Sequence, residues 1–298
     1  TQRALCGVER RHLSHLEPPM TAPQTLRVAL AQMCSADTHQ VNIATVAVLA
    51  AEAAAGGAEL LALPEVAGLM NRNPETSRQQ VVAADADPFI AACRDLAAKH
   101  GLWVHTGSTP VLGPDGRYLN HATLIDATGG IVAEYDKIHL FDVALEGQAP
   151  IGESKRFAPG MKAVLAQTPW GPFGLSICYD LRFPYLYRAY AQAGAVLMFI
   201  PSAFTVPTGQ AHWEVLLRAR AIETGTFVLA AAQAGHHADG RQTYGHALAV
   251  GPWGEVLADL GDAAPAIQLI DLDLGAVARA RAQIPAWGAR MPDWWVDP

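Results

Sequence analysis

An α/β fold, two sheets packed together with helices outside, is what this sequence predicts. Three observations carry the prediction. Apolar runs of strand length alternate with helix-forming stretches in β-α-β-α-β order over residues 26–109. Later segments add many short strands joined by hairpin turns and by further helices, so the connections are mixed. Neither a tandem repeat nor a linker divides the chain, which favours one domain.

Taken in order, LRVALAQM (26–33) is a buried strand, apolar and of strand length. VNIATVAVLAAEAAA (41–55) is rich in helix formers and stops at Gly56-Gly57. AELLALPE (58–65) is a second buried strand, closed by Pro64. PFIAACRDLAAKH (88–100) is a helix stopped by Gly101, and LWVHTGST (102–109) is one strand. NHATLID and GGIVAEYDK form a hairpin about residues 127–130. Residues 140–162 read as a long irregular loop, and loops of that length in a compact domain are often functional. KAVLAQTPWGPFGLSI gives two strands about a Pro-Trp-Gly-Pro turn, followed by Cys178, a helix near 183–193 and the strand 195–201. The helix GQAHWEVLLRARAIETG ends at Gly225; strands at 226–233, 244–250, 255–259 and AIQLIDLDL complete the set.

Composition limits the function. Of 298 residues, 51% are apolar and 16% charged, enough for a large core and not a disordered chain. The net charge of −7, with no basic stripe, argues against nucleic acid as a partner. Apolar runs are too short or too interrupted to span a bilayer, so no membrane partner is expected. Cys6, Cys34, Cys93 and Cys178 form no CxxC pair and fit no zinc spacing. Few scattered cysteines in a large chain read as free thiols in a cytoplasmic protein. Residues 1–19 lack the apolar centre of a secretory signal and precede Met20. Residues 1–25 are expected to be a leader or extension, and 26–298 the single domain.

The chemistry turns on GLSICYDLRFP (174–184). Alone, Cys178 reads as packing, since free cysteines are mostly small buried hydrophobes. Yet it ends a strand-like run where the chain must turn, and a residue at such a turn can project into a cleft. A nucleophilic thiol needs a base or a nearby cation. Glu65, terminating LLALPE, and Lys137, at the end of GGIVAEYDK, sit at similar strand ends. Glu65 alone reads equally well as a solvated edge residue, and Lys137 alone reads as an ordinary solvated lysine. Together, a carboxylate, an ammonium and a thiol at strand ends could converge on one cleft.

LALPE, EYDKIHLFD and GLSICYDLRFP, in that order, resemble the three catalytic blocks of the nitrilase (carbon–nitrogen hydrolase) superfamily. ESKRFAPG (153–160), PSAFTVPTGQAHWEVLLRARAIETG (201–225) and TYGHALAVGPWGEVLADL (243–260) extend the resemblance over residues 26–290. HLFDV, CYDLRFP and the PTG and AHW elements point to its Nit amidase branch. The resemblance implies a four-layer αββα sandwich, paired as an αββα–βααβ homodimer or a higher homo-oligomer, with no metal and no organic cofactor. It implies a small-molecule amide substrate: a primary amide hydrolysed to acid and ammonia through a cysteine thioester, with deaminated glutathione or a similar 2-oxo acid ω-amide as the compound. Cys178 would be the nucleophile, Glu65 the general base and acid, and Lys137 with the Tyr179 N–H the oxyanion donors. Glu153 would orient Lys137. Arg182, Phe204 and Thr208 would contact the substrate, although Thr208 also reads as the cap of the 209–224 helix.

Departures and rivals stay in view. Many Nit relatives carry an acid after RFP, where this chain has Tyr185. Glu214, Arg218, Arg220 and Glu223 read as a salt-bridge network or dimer interface, not as catalysts. His236, His237 and His246 lack helical metal-ligand spacing, so a solvated loop is expected. Other substrates of the same chemistry are 2-oxoglutaramate, N-carbamoyl compounds and nitriles. Two other classes are a papain-type Cys–His hydrolase, which would dispense with Lys137, and an inactive interaction protein on the same fold. The intact Glu65, Lys137, Glu153 and Cys178 speak against the last.

Overall fold

The computed structural model describes residues 25–144 and 150–289. Of the expected extension 1–25, residues 1–24 lie outside the described ones and Thr25 already opens the first strand. The chain begins β1 (Thr25–Met33), α1 (His39–Ala55), β2 (Leu60–Ala62), α2 (Pro74–Gln80), α3 (Pro88–His100) and β3 (Trp103–His105). It continues β4 (Thr109–Leu112), β5 (Tyr118–Ile125), β6 (Ile131–Asp136), β7 (Asp142–Val143), β8 (Ile151–Gly152), β9 (Val164–Thr168) and β10 (Gly171–Leu175). Then come α4 (Pro184–Gln192), β11 (Leu197–Phe199), α5 (Val206–Thr224), β12 (Phe227–Ala230), β13 (Ala232–His236) and β14 (Gln242–Tyr244). Last are β15 (Leu248–Val250), β16 (Val256–Asp259), β17 (Ala266–Asp273) and α6 (Gly275–Gln283).

These elements make the expected αββα layers. One sheet runs β14-β13-β1-β2-β3-β5-β4, with β17 beside β1 and β6 beside β5; the other runs β16-β15-β12-β11-β10-β9. Side chains of a strand alternate between faces. In β1, Leu26, Val28 and Leu30 therefore enter the core between the sheets, with Phe173, Leu175, Leu197 and Phe199 opposite. Ala29, Ala31 and Met33 face the other way, onto Val46 and Leu49 of α1 and Phe89 and Cys93 of α3. Both faces are covered, which is why these strands read as unbroken apolar runs. Tyr187 and Tyr190 of α4 and Leu217 of α5 close the outside of the second sheet.

The differences from the sequence reading have local causes. The expected strand 102–109 breaks at Gly107, whose φ is +68° and where a Cβ would lie 1.9 Å from the Pro64 carbonyl oxygen. The expected strand 226–233 is two strands in different sheets, because the chain crosses between layers at Ala231. Residues 227–232 are all apolar and buried, so no change of period marks the crossing. The expected strand 244–250 breaks similarly, at Gly245 and His246, both at positive φ. The 140–162 loop contains the β7–β8 ladder and a 3-10 turn at Glu153–Lys155. α5 starts at Val206, so Thr208 lies within its first turn, and its Oγ1 donates to the Thr205 carbonyl at 3.2 Å instead of capping. α2 was not foreseen, though Asn73 caps it and Pro74 opens it.

One buried group sets an expected response to acid. His105 is fully buried and stacks on Phe199 at 4.1 Å, and its Nδ1 accepts the Gly107 N–H at 3.3 Å. Burial lowers its pKa to about 3. The folded chain thus stays neutral there while the unfolded chain takes a proton below about pH 6.5. Stability is therefore lost as pH falls from about 6.5 towards 3, by at most about 1.4 kcal/mol per pH unit. His105→Phe, which keeps the stack, is expected to flatten the fall of the unfolding midpoint between those values. An unchanged slope in urea titrations would rule His105 out as its source.

Candidate active site

The parallel strands of the two sheets bring their carboxyl ends to one edge, the usual place for a site in α/β sheets. Glu65 follows β2 there. Pro64 ends the ladder, and Gln233 Nε2 holds the Glu65 carbonyl at 2.9 Å. Val66 next to it has φ +51°, unusual for a β-branched residue, and is fixed by its N–H to Ser108 Oγ at 2.8 Å. The carboxylate is held at both oxygens. Oε1 accepts Lys137 Nζ and Asn120 Nδ2, each at 2.9 Å, and Oε2 accepts the Ala203 N–H at 2.8 Å.

Lys137 follows β6, and its side chain is 2% exposed. The carbonyl of Lys137 accepts the Gly160 N–H at 2.8 Å; a Cβ on Gly160 would meet the Asp136 oxygen at 2.1 Å, so that glycine is what lets the loop lie against the strand end. The ammonium donates to Glu65 and also to Glu153, at 3.2 and 2.9 Å. Glu153 Oε2 accepts the Phe141 N–H at 2.7 Å, which orders the 141–153 loop ends about the lysine. Burial alone would lower the lysine's pKa; Glu153 and Glu65 outweigh it and hold the ammonium well above its ordinary value. Buried ion pairs are poor sources of stability, so two carboxylates about one buried ammonium make this cluster a candidate site of chemistry.

Cys178 follows β10 and takes φ +50°, a left-handed conformation on a residue other than glycine. Its N–H donates to the Pro201 carbonyl at 2.9 Å. A 3-10 turn, Cys178–Arg182, carries the chain on. Asp180, fully buried, anchors it by accepting Ile177 N–H at 2.9 Å, Tyr135 OH at 2.6 Å and His139 N–H at 3.0 Å. Arg220 Nε holds the Leu181 carbonyl at 2.9 Å. The strained nucleophile-elbow geometry is therefore braced from three elements. Burial pushes the thiol well above its ordinary value and Glu65 pushes it further; Lys137 and the Ala203 N–H only partly offset this. The sulfur is a thiol at rest, beside a carboxylate able to take its proton.

A cavity of about 740 Å³ opens over this cluster, and Glu65, Lys137, Glu153, Cys178, Tyr179, Arg182, Phe204 and Thr208 all line it. Every side chain named from the sequence is thus brought together. Arg182 lies over the Tyr179 and Phe204 rings, 5.9 and 5.5 Å from their centroids, and meets His212 Nδ1 at 3.3 Å. Thr205 and Thr208 hydroxyls pair at 2.8 Å. Asn120, which binds both Glu65 and Glu153, was missed. Its signal was a polar amide inside the apolar strand NHATLID. The Ala203 N–H left no signal, since backbone donors carry no side-chain identity.

One sequence expectation is corrected here, and another is resolved into its parts. His237 is buried, not solvated: its Nδ1 lies 3.0 Å from the Ser35 carbonyl and its Nε2 2.7 Å from Thr243 Oγ1. His246 pairs instead with Asp259 at 3.0 Å. The four charged residues of α5 form two separate pairs, Glu214–Arg218 at 3.1 Å and Arg220–Glu223 at 2.8 Å, and Arg220 turns inward. Tyr185 hydrogen-bonds His139 through its hydroxyl.

Comparison with known proteins places the chain in a family. A family model described as carbon–nitrogen hydrolase matches residues 27–282. The chain is 41% identical over 272 residues to deaminated glutathione amidase of Bos taurus, covering 89% of this chain and 82% of that one. It is 37% identical over 261 residues to the protein of that name from Yersinia enterocolitica, with 87% and 90% covered. Among solved structures it resembles the C. elegans NitFhit protein at a TM-score of 0.82 and 35% identity, covering 90% of this chain and 66% of that chain. An amidase of Nesterenkonia sp. AN1, solved with acrylamide added at its active-site cysteine, matches at 0.71 and 29%, with 87% and 98% covered.

Proposed function

The chain belongs to the carbon–nitrogen hydrolase family, and from that premise we propose that Cys178, Glu65 and Lys137 hydrolyse the ω-amide of a 2-oxo acid, deaminated glutathione above all. The observation that carries the reading is the meeting of Cys178, Glu65 and Lys137 on one cavity wall, with the buried ammonium 2.9 Å from both Glu65 and Glu153. Glu65 takes the thiol proton as sulfur attacks the amide carbonyl carbon. The oxyanion that forms is met by the Lys137 ammonium and the Tyr179 N–H. On collapse the C–N bond breaks, Glu65 gives the proton to the departing nitrogen, and an acyl thioester stays on Cys178. Glu65 then takes a proton from water, whose oxygen attacks the thioester. The acid leaves, and the thiol recovers its proton from Glu65. Glu153 and Asn120 keep the lysine and the base in register.

Arg182, with Phe204 and Thr208, reads the carboxylate of the acyl part, a task suited to a guanidinium fork. Deaminated glutathione is a secondary amide, which corrects the expected pairing of this compound with a primary amide and ammonia. In deaminated glutathione the amide nitrogen belongs to cysteinylglycine, so the departing amine is that dipeptide; a primary amide such as 2-oxoglutaramate would release ammonia by the same steps. We further infer cytoplasmic action by a single domain over 26–298 and pairing into a homodimer. Support for pairing comes from Val215 and Ile222, apolar and 70% and 51% exposed on α5. Among the described residues no helix is long and apolar enough to cross a membrane.

The test is a side-by-side assay of deaminated glutathione, 2-oxoglutaramate, an N-carbamoyl amino acid and a simple nitrile, following 2-oxo acid, free thiol and ammonia. Preferential release of cysteinylglycine is expected. Equal turnover of all four would overturn the substrate assignment.

A further inference from the structure

The cavity holds a second cationic group that the proposed chemistry does not use. It comes from loops other than the one carrying Arg182: Arg72 before α2, Arg156 after the 3-10 turn at Glu153–Lys155, and Arg241 before β14. Their engagements differ. Arg156 spends its donors on the Arg72 carbonyl at 3.1 Å and Ser77 Oγ at 2.8 Å, and so fixes the backbone from which Arg72 projects. Arg241 is committed to Asp239, Nε to Oδ2 at 2.8 Å. Arg72 donates no side-chain hydrogen bond and forms no ion pair among the described residues, although Arg241 and Asp239 both act on its charge. Asp239 is thus paired with Arg241 and Arg156 with neutral oxygens, and the donors of Arg72 are left unengaged among the described residues.

Position along the cavity assigns a role to that charge. Cys178 is 7% exposed, at the floor, whereas Arg72 is exposed, at the mouth. In an acyl transfer the acyl part stays on the buried sulfur and the amine departs outward. Whatever Arg72 meets therefore belongs to the leaving group. We propose that Arg72 binds a terminal carboxylate on the amine half of the substrate, making the enzyme selective for amides whose leaving group is an acidic peptide fragment. This deepens the proposed function and rests on it. It also gives the large cavity a use that a short amide such as 2-oxoglutaramate would leave unfilled.

The experiment is a two-by-two comparison of wild type and Arg72→Ala on deaminated glutathione and on its glycinamide form, in which the terminal carboxylate is capped. Wild type is expected to prefer the free acid by about tenfold to a hundredfold in kcat/KM, expressed mainly in KM, the range of a charge-assisted hydrogen bond. In Arg72→Ala that preference collapses towards one, and Arg72→Lys keeps part of it. A preference that survives in Arg72→Ala, or an equal loss on both compounds, would overturn the proposal. Wild-type turnover of 2-oxoglutaramate but of neither glutathione compound would remove the Arg72 site and leave amide hydrolysis standing. Turnover of none would remove both.

Discussion

Glu65→Gln lowers kcat/KM by about a thousandfold and at the same time makes Cys178 easier to alkylate. In the proposed mechanism the first effect follows from losing the base that takes the thiol proton and the acid that protonates the departing nitrogen, within the range of about 10²–10⁴ seen for such groups. The second follows from electrostatics: the Glu65 charge is one of the influences that raise the thiol. Removing it leaves Lys137 and the Ala203 N–H, both of which favour thiolate. The pH profile of iodoacetamide alkylation should therefore move to lower pH as amide turnover vanishes. The two readouts going in opposite directions separate a lost base from a damaged fold, which would depress both. Some structural cost is expected, because the amide of Gln cannot accept from Lys137, Asn120 and Ala203 as the carboxylate does.

Lys137→Met lowers turnover by about a hundredfold to a thousandfold, the usual loss for one oxyanion donor. It also destabilises the fold in a pH-dependent way. Without the ammonium, Glu65 and Glu153 face each other in a buried site, and breaking a buried ion pair costs about 3–5 kcal/mol. One of the carboxylates is then pushed up in pKa and takes a proton in the folded state more readily than in the unfolded chain. A raised carboxylate stabilises the folded state as pH falls, so the deficit should be largest near pH 8 and smaller near pH 5.5. Urea unfolding at the two values checks this. A deficit independent of pH would mean that the two carboxylates do not confront each other when the lysine is gone.

Much of this arrangement was legible in the sequence, for reasons that can be named. β1, β2 and β10 are buried on both faces and so stand out as continuous apolar runs. Glu65 stands out because it breaks such a run at its end, whereas Lys137 follows the largely exposed β6 and is marked only together with Glu65 and Cys178. The sheet exchange at Ala231 was illegible, because a strand that leaves one apolar environment for another keeps its composition. So was the start of α5: Val206 and Pro207 look like the end of the preceding loop, and Thr208 looks like a cap, yet the helix already contains all three. Asn120 and Gln233 act from within strands as braces for Glu65, and a buried amide in a strand announces burial without naming its partner. His237 appeared solvated because it lies in a Gly- and His-rich loop; the cause of its burial, Ser35 reaching in from beyond β1, is about two hundred residues away in sequence.

The central claim is that Cys178 carries the acyl group between two halves of one reaction. Enzyme in excess of deaminated glutathione, quenched in acid within the first turnover and examined by intact-mass and peptide mass spectrometry, tests it most directly. The account predicts a 2-oxoglutaryl adduct on Cys178 alone, appearing with the released cysteinylglycine, and neither event in Cys178→Ala. Cysteinylglycine released by Cys178→Ala at the wild-type rate, or an acyl group found on another residue, would contradict it.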